Sequence, residues 1–293
     1  MWIHEHQNWS NFTWDAGALA SKLADLRHQQ GRLLGRMAGL GFQLRQEATL
    51  ATLTADVVKS SAIEGELLNR LEVRSSIARR LGMDIGGLIP SGRHVEGIVE
   101  IMLDATQNFA APLTKERLFG WHAALFPLGY SVMHLITVGD WRTSESGPMQ
   151  VISGPVGREK IHFEAPDAKR IEHEMAVFLA WFEHQQDIDP VIRAGIAHFW
   201  FVTIHPFEDG NGRIARAIGD AALARADNTP DRFYSLSSQI EIERTAYYEQ
   251  LENQQRSTPD ITGWLVWFLD CLGRAIYNAE QTLRHVLFKA ELW

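Results

Sequence analysis

A histidine, two acids, a Gly-Asn-Gly and two arginines fall within the twelve residues "HPFEDGNGRIAR", His205 to Arg216, directly after the apolar run "AHFWFVTI". In order, these supply a base, a metal ligand, an anion cradle and two cationic clamps, which is an inventory for handling a polyphosphate. "DPVIRAGIAHFWFVTI" reads as a helix begun by Asp189 and Pro190 and apolar on most faces, hence central. Pro206 disfavours helical geometry at His205, so the imidazole is expected at a helix end beside a loop. "GRIARAIGDAALARA" then resumes a helix. That places the backbone N–H groups of Gly210, Asn211 and Gly212 at its N-terminus, where geometry and dipole both favour an anion. Arg213 and Arg216 lie three apart on one face, and each can grip phosphate oxygens in bidentate fashion. Asp209 suits Mg²⁺, which takes one or two protein carboxylates and completes its shell with phosphates and water. His205 is left free to deprotonate a nucleophile.

Competing motifs are weaker. "GNGRIA" also fits G-x-G-x-x-A, but a dinucleotide fingerprint needs a preceding strand inside a βαβ unit, and here the preceding segment is helical. No G-x-x-x-x-G-K-[ST] occurs anywhere in the chain. His162, His173, His184 and His198 lack ligand spacing and are expected at the surface or in the core. Cys271, on the apolar helix "ITGWLVWFLDCL", is expected to be packing.

The elements that must position the cluster are mostly helices. "DAGALASKLADLRHQQGRLLGRMAGLG", "RQEATLATLTADVVKSSAIEGELL" and "SGRHVEGIVEIMLDATQNF" carry apolar residues at three- and four-residue spacing and predict three long amphipathic helices. "PLTKERLFGWHAALFP" has a Thr114 N-cap and ends at Pro127, and "APDAKRIEHEMAVFLAWFEH" places Pro166 at a helix start. Residues 137 to 165 break the pattern. "MQVIS" and "KIHFE" alternate in type around a Gly/Pro-rich turn and predict a β-hairpin. A boundary is placed near "ATQNFAAP", giving an N-terminal helical region at 1–110 and a second unit at 111–293. The pattern still runs at "HVLFKAELW" with no cap, as it would if a further C-terminal domain followed.

Composition sets the outer limits. With 293 residues, 45% hydrophobic and ten tryptophans, the chain can bury a substantial core. The balance of 28 basic against 36 acidic residues, net −8 and without a Lys/Arg tract, argues against sequence-independent nucleic-acid binding. One cysteine excludes an internal disulfide framework, and "MWIHEHQNWS" lacks the basic and apolar regions of a secretory signal, so a cytoplasmic location is expected. The longest apolar run is too short for a spanning helix of about 20 residues.

"HPFEDGNGRIAR" resembles the Fic-domain signature, H-x-F-x-[DE]-G-N-G-R-x-x-R, at every constrained position. Members of that family mostly transfer AMP from ATP to a protein hydroxyl. The resemblance implies an all-α helical Fic fold with one β-hairpin flap and an N-terminal helical region. It implies ATP and Mg²⁺ as cofactors, a Ser, Thr or Tyr hydroxyl on a protein target as acceptor, and self-modification. Such proteins are often dimeric, so a homodimer is compatible with it. By the same resemblance His205 is the general base, Asp209 the Mg²⁺ ligand, and Gly210, Asn211 and Gly212 the phosphate nest. Arg213 contacts the α/β-phosphates, Arg216 the γ-phosphate, and Phe207 anchors the loop. "GPMQVISG…KIHFEAP" looks like the target-docking flap, and "ERTAYYEQLENQQ" like the segment that closes over adenine, through Tyr248 and Gln255.

"SSAIEG" is similar to the inhibitory helix pattern [ST]-x-x-x-E-[GN] of many such proteins, with Ser60, Glu64 and Gly65 in the fixed positions. Ser60 and Glu64 share a helix face and Gly65 is the expected C-cap. In the family this glutamate pairs with the second motif arginine, here Arg216, and takes the γ-phosphate's place. Alternatives on the same site are removal of AMP from a modified protein, with Glu64 aligning a water, or transfer of UMP or phosphate. A non-catalytic nucleotide-binding module is a third alternative, against which an intact His205 argues.

Overall fold

Asp15 starts the first long helix, its carboxylate accepting the N–H groups of Gly17 and Ala18 at 2.8 and 3.1 Å. That helix, α1 (Ala16–Ala38), buries Leu19, Leu26, Leu33 and Met37 along one stripe. In the computed structural model, which describes residues 1–131, 133–144, 147–155, 157–184 and 187–291, the N-terminal part continues with α2 (Phe42–Ile63), α3 (Arg70–Arg80) and α4 (Arg93–Gln107). Next come α5 (Lys115–Leu125), α6 (Ile171–His184), α7 (Pro190–Ile204) and α8 (Asn211–Asp227). Then α9 (Leu236–Ile242), α10 (Arg244–Gln255) and α11 (Thr262–Glu291) complete the helices.

The centre is α7, buried along its whole length from Val191 to Ile204 apart from Arg193, and packed most extensively against α8. α11 covers the far side of α7 and also receives α1, and α2 lies on α9. Side chains from the N-terminal helices, such as Leu26 and Val57, join Phe199 and Trp264 in one continuous core. A buried charge cluster ties α2 to α8: Arg232 pairs with Asp220 of α8 at 3.1 Å, and Ser235 donates its hydroxyl to Asp56 of α2. Burial, with Asp220 nearby, pushes the Asp56 carboxyl well up toward its protonated form.

The expected hairpin forms as β3 (Gln150–Ser153) against β4 (Lys160–Glu164), with Val151 opposite Phe163 and a bulge between Val151 and Ile152. Phe163 is buried and meets Trp2 edge-on at 5.4 Å, while Val151, Ile152 and Ile161 are exposed. A second, smaller antiparallel hairpin, β1 (Tyr130–Ser131) with β2 (His134–Leu135), was not expected. Nor was α3. Pro166 is followed by a short 3₁₀ turn, Ala168–Arg170, capped by Asp167, before α6 begins. Thr114 caps α5 as expected, accepting the Arg117 N–H at 3.2 Å. The architecture is therefore all-α with two small hairpins. Among the described residues no helix is long and apolar enough to cross a membrane.

Candidate active site

Pro206 stops α7, and His205 closes the helix in the left-handed region (φ 52°, ψ 58°), a conformation uncommon for a non-glycine residue. Arg142 holds it there. Its buried guanidinium donates from Nε to the His205 carbonyl at 2.7 Å and from Nη2 to the Pro166 carbonyl at 2.5 Å, and its backbone N–H donates to the Pro206 carbonyl at 2.9 Å. The His205 Nδ1 lies 3.2 Å from the Val202 carbonyl oxygen. A carbonyl can only accept, so the proton sits on Nδ1 and Nε2 carries the free lone pair. Burial pulls the imidazole pKa down to about 4, with the Arg142 charge adding to it and the Val202 bond opposing in part. His205 is thus neutral at physiological pH.

The loop after His205 is clamped from both ends. Phe207 is fully buried and stacks on His122 with ring centroids 4.1 Å apart. The Asn211 side chain accepts the Phe207 N–H at 3.0 Å and donates to the Phe207 carbonyl at 2.8 Å. The Gly139 N–H donates to His122 Nδ1 at 3.2 Å, so His122 Nε2 carries the proton and donates to the Asp209 carbonyl at 3.2 Å. Burial lowers the His122 pKa to about 4, keeping that tautomer neutral.

Asp209 presents its carboxylate beside the start of α8, accepting the Gly210 N–H at 2.5 Å with one oxygen and the Ser131 hydroxyl of β1 with the other. Among the described residues no three His, Cys, Asp or Glu side chains converge. A single hard carboxylate next to an anion cradle is the donor set Mg²⁺ uses when phosphate oxygens and water supply the rest. The residues therefore fit that ion bound together with a polyphosphate.

The nest forms where α8 begins, with Gly210 in the left-handed region (φ 79°) as N-cap. A Cβ built at Gly212 would stand 2.1 Å from the Glu64 Oε1, so a carboxylate approaches this backbone closer than any side chain at 212 would allow. That carboxylate pairs with Arg216 at 2.8 Å. Arg216, 1% exposed, also donates from Nε to the Ser60 hydroxyl and from Nη2 to the Ser60 carbonyl, both at 2.8 Å. Arg213 donates to Glu66 at 2.9 Å and lies over the Phe126 ring at 5.3 Å. Each arginine keeps one buried nitrogen without a hydrogen-bond partner, Nε of Arg213 and Nη1 of Arg216. Ser60, Glu64, Asp209, Gly212, Arg213 and Arg216, brought together here, were all anticipated from sequence. Glu64 itself caps α2, one residue earlier than the cap expected at Gly65, which follows in the left-handed region at φ 85°.

On α10, the partly exposed Tyr248 directs its hydroxyl to the Ile63 carbonyl at 3.3 Å, next to Glu64. Gln255 is buried and donates to the Thr203 hydroxyl at 3.3 Å, so its amide faces α7. His198 and Cys271 are core residues, His198 bonded to the Tyr247 hydroxyl at 2.9 Å. Sequence reasoning missed Arg142, His122, Ser131 and Glu66. Only Glu66 carried a signal, as the second acid of "EGE" around Gly65.

Comparison with known proteins matches residues 112–223 to the Fic/DOC family and residues 2–83 to a domain of unknown function, DUF4172. The chain is 27% identical over 179 residues to protein adenylyltransferase fic-1 of Caenorhabditis elegans, covering 59% of this chain and 32% of that protein. It is 27% identical over 224 residues to protein adenylyltransferase Fic of Culex quinquefasciatus, covering 75% of this chain and 40% of the relative. The chain thus spans about a third of the length of the first and two fifths of the second. Among solved structures, a Fic domain-containing signaling protein from Bacteroides thetaiotaomicron superposes with a TM-score of 0.63 at 19% identity, over 87% of this chain and 96% of that one. A Fic family protein from Desulfovibrio desulfuricans gives 0.61 at 24% identity, over 89% and 74%.

Proposed function

We propose that this chain, matched at residues 112–223 to the Fic/DOC family, transfers AMP from ATP to a Ser, Thr or Tyr hydroxyl of a target protein and of itself, restrained by Glu64. The observation that carries this reading is the pair of buried guanidinium nitrogens, on Arg213 and Arg216, left without partners beside a helix N-terminus. Binding alone would need no base, yet a neutral imidazole stands at the entrance to the same loop. Residues 111–293 form the catalytic part in this reading, and 1–110 the region that carries the inhibitory segment.

The chemistry follows from the residues. A target segment pairs by its main chain with the outward-facing hairpin β3–β4, a mode tolerant of side-chain sequence. His205 Nε2 takes the proton of the acceptor hydroxyl as that oxygen attacks the α-phosphorus and pyrophosphate leaves. General-base help of this kind is worth about 10²–10⁴-fold in rate. The nest N–H groups and Arg213 hold the α/β-phosphates, and Arg216 holds the γ-phosphate, so catalysis rests on positioning and charge neutralisation. Mg²⁺, held by Asp209, would neutralise further phosphate charge when bound. With Glu64 on Arg216, the γ-phosphate has no clamp and the α-phosphorus is presented in the wrong pose.

The test is incubation with α-labelled ATP and Mg²⁺. A charge-assisted bond such as Glu64–Arg216 is worth about 1.5–3 kcal/mol, or roughly 10- to 150-fold in an equilibrium. Glu64→Gly should accordingly raise self-labelling at least tenfold, and adding Arg216→Ala should cancel much of the gain. An unchanged labelling rate in Glu64→Gly removes the inhibitory role. Loss of a hydrolytic activity in that variant would assign the site to AMP removal instead, with Glu64 aligning water.

A further inference from the structure

We propose that Glu66 is a second inhibitory carboxylate, holding Arg213 as Glu64 holds Arg216, so that one Glu-Gly-Glu turn closes the nucleotide site with two ion pairs. The proposal rests on the nucleotide-binding reading of that site and deepens it.

The geometry is one carboxylate for each clamp. Glu66 lies 2.9 Å from Arg213 Nη1, and Glu64 lies 2.8 Å from Arg216 Nη2. The arginines are three apart on α8, and the acids are two apart around Gly65, whose left-handed backbone (φ 85°) reverses the chain so that both carboxylates reach α8. Glu66 is itself anchored. Its N–H donates to the Ser61 carbonyl at 3.0 Å, and its other carboxylate oxygen meets the His94 imidazole of α4. Burial favours protonation of Glu66, but the bond to His94 and the Arg213 charge outweigh it and hold the pKa below the usual carboxylate range. Arg213 is only 11% exposed, so this is not one of the solvated surface pairs that contribute almost nothing.

The local charge balance points the same way. Arg213 and Arg216 supply two positive charges, against three carboxylates on Glu64, Glu66 and Asp209. A polyphosphate entering that arrangement meets clamps already occupied by carboxylates until one withdraws. Glu64 stands against the clamp assigned to the γ-phosphate and Glu66 against the clamp assigned to the α/β-phosphates. The two pairs therefore obstruct different parts of the ligand. ADP, which lacks the γ-phosphate, makes no use of Arg216 but still needs Arg213.

Calorimetric titration of ADP and of ATP, each with Mg²⁺, into the unaltered protein, Glu66→Gln and Glu64→Gly tests this. Glu66→Gln is expected to tighten ADP binding at least threefold, whereas Glu64→Gly should change it less than twofold. ADP affinity that is unchanged or weaker in Glu66→Gln overturns the proposal, the weaker result meaning that Glu66 orients Arg213 for the ligand. If neither nucleotide binds to any of the three proteins, the nucleotide-site reading itself fails, which is a different result. Should Glu66→Gln not fold, His94→Gln loosens the same carboxylate and should tighten ADP in the same direction. No change there overturns the proposal equally.

Discussion

His205 has its tautomer set by a main-chain carbonyl before any ligand arrives. The Val202 oxygen fixes the proton on Nδ1, and burial with Arg142 nearby keeps the ring neutral, with a pKa of about 4. A base of such low pKa accepts a proton less readily than one poised near 7, but it is always in its basic form. His205→Ala should therefore lower transfer by about 10²–10⁴-fold while leaving ATP affinity within threefold, because the imidazole clamps nothing. Labelling rates and nucleotide titrations, both in the Glu64→Gly background, measure the two effects. Nitrogen-15 spectra of the imidazole should show Nε2 unprotonated from pH 8 down to 5.5. A ring already protonated at pH 6 contradicts the assignment. The motif's own residues were legible as a cluster in the sequence because they fall within twelve positions. Arg142 and His122 were not, since their partners lie 63 and 87 residues away and nothing local marks them.

The start of α8 and the loop before it stand or fall together through Asn211. Its amide satisfies both backbone groups of the buried Phe207. Asn211→Ala would strand a buried N–H and a buried carbonyl, each costing about 1–3 kcal/mol, so a urea melt should show a loss of roughly 2–6 kcal/mol with transfer reduced alongside it. Stability unchanged within about 0.5 kcal/mol would mean that the ring stack on His122 and the Arg142 bonds suffice. Helices with an apolar stripe were readable from period, as α1 and α4 illustrate, whereas α7 was readable from Asp189 and Pro190 at its start and its long apolar run. α3 was not, because Val73 and Ile77 are its only large apolar side chains facing the core and its arginines dominate the pattern. The β1–β2 hairpin pairs two residues on each side and is held by distant groups, Ser131 by Asp209 and Thr137 by Glu208. Such an element has no alternation to read.

Over the whole molecule, two fully buried histidines make the fold sensitive to acid. Burial lowers His122 to about pKa 4 and, with the Arg216 charge, His198 to about 3, against 6.5 when the chain is unfolded. Both are neutral in either state above pH 6.5, so their contribution is intact there. As pH falls from 6.5 toward 4 the unfolded chain takes up protons that the folded one refuses, and stability is lost at up to about 1.4 kcal/mol per pH unit for each. The buried carboxyls of Asp56, Asp220 and Asp227, raised by burial, run the opposite way and offset part of this. His198→Gln should make the slope of unfolding free energy between pH 6.5 and 5 shallower by about 1.4 kcal/mol per unit. Equal slopes in the two proteins would rule out His198 as a contributor.

The pairing of α1 with α11 joins segments from opposite ends of the chain, through contacts such as Lys22 to Asp270 and Arg32 to Glu280, each 248 residues apart. During synthesis, at about 5–20 residues per second, the ribosome needs on the order of 12–50 s to reach the partner after α1 has emerged. Through that interval Leu19, Leu26 and Leu33 have no final cover, and the nascent helix is a ready client for a chaperone. Helix α1 is thus made long before the partner that seats it.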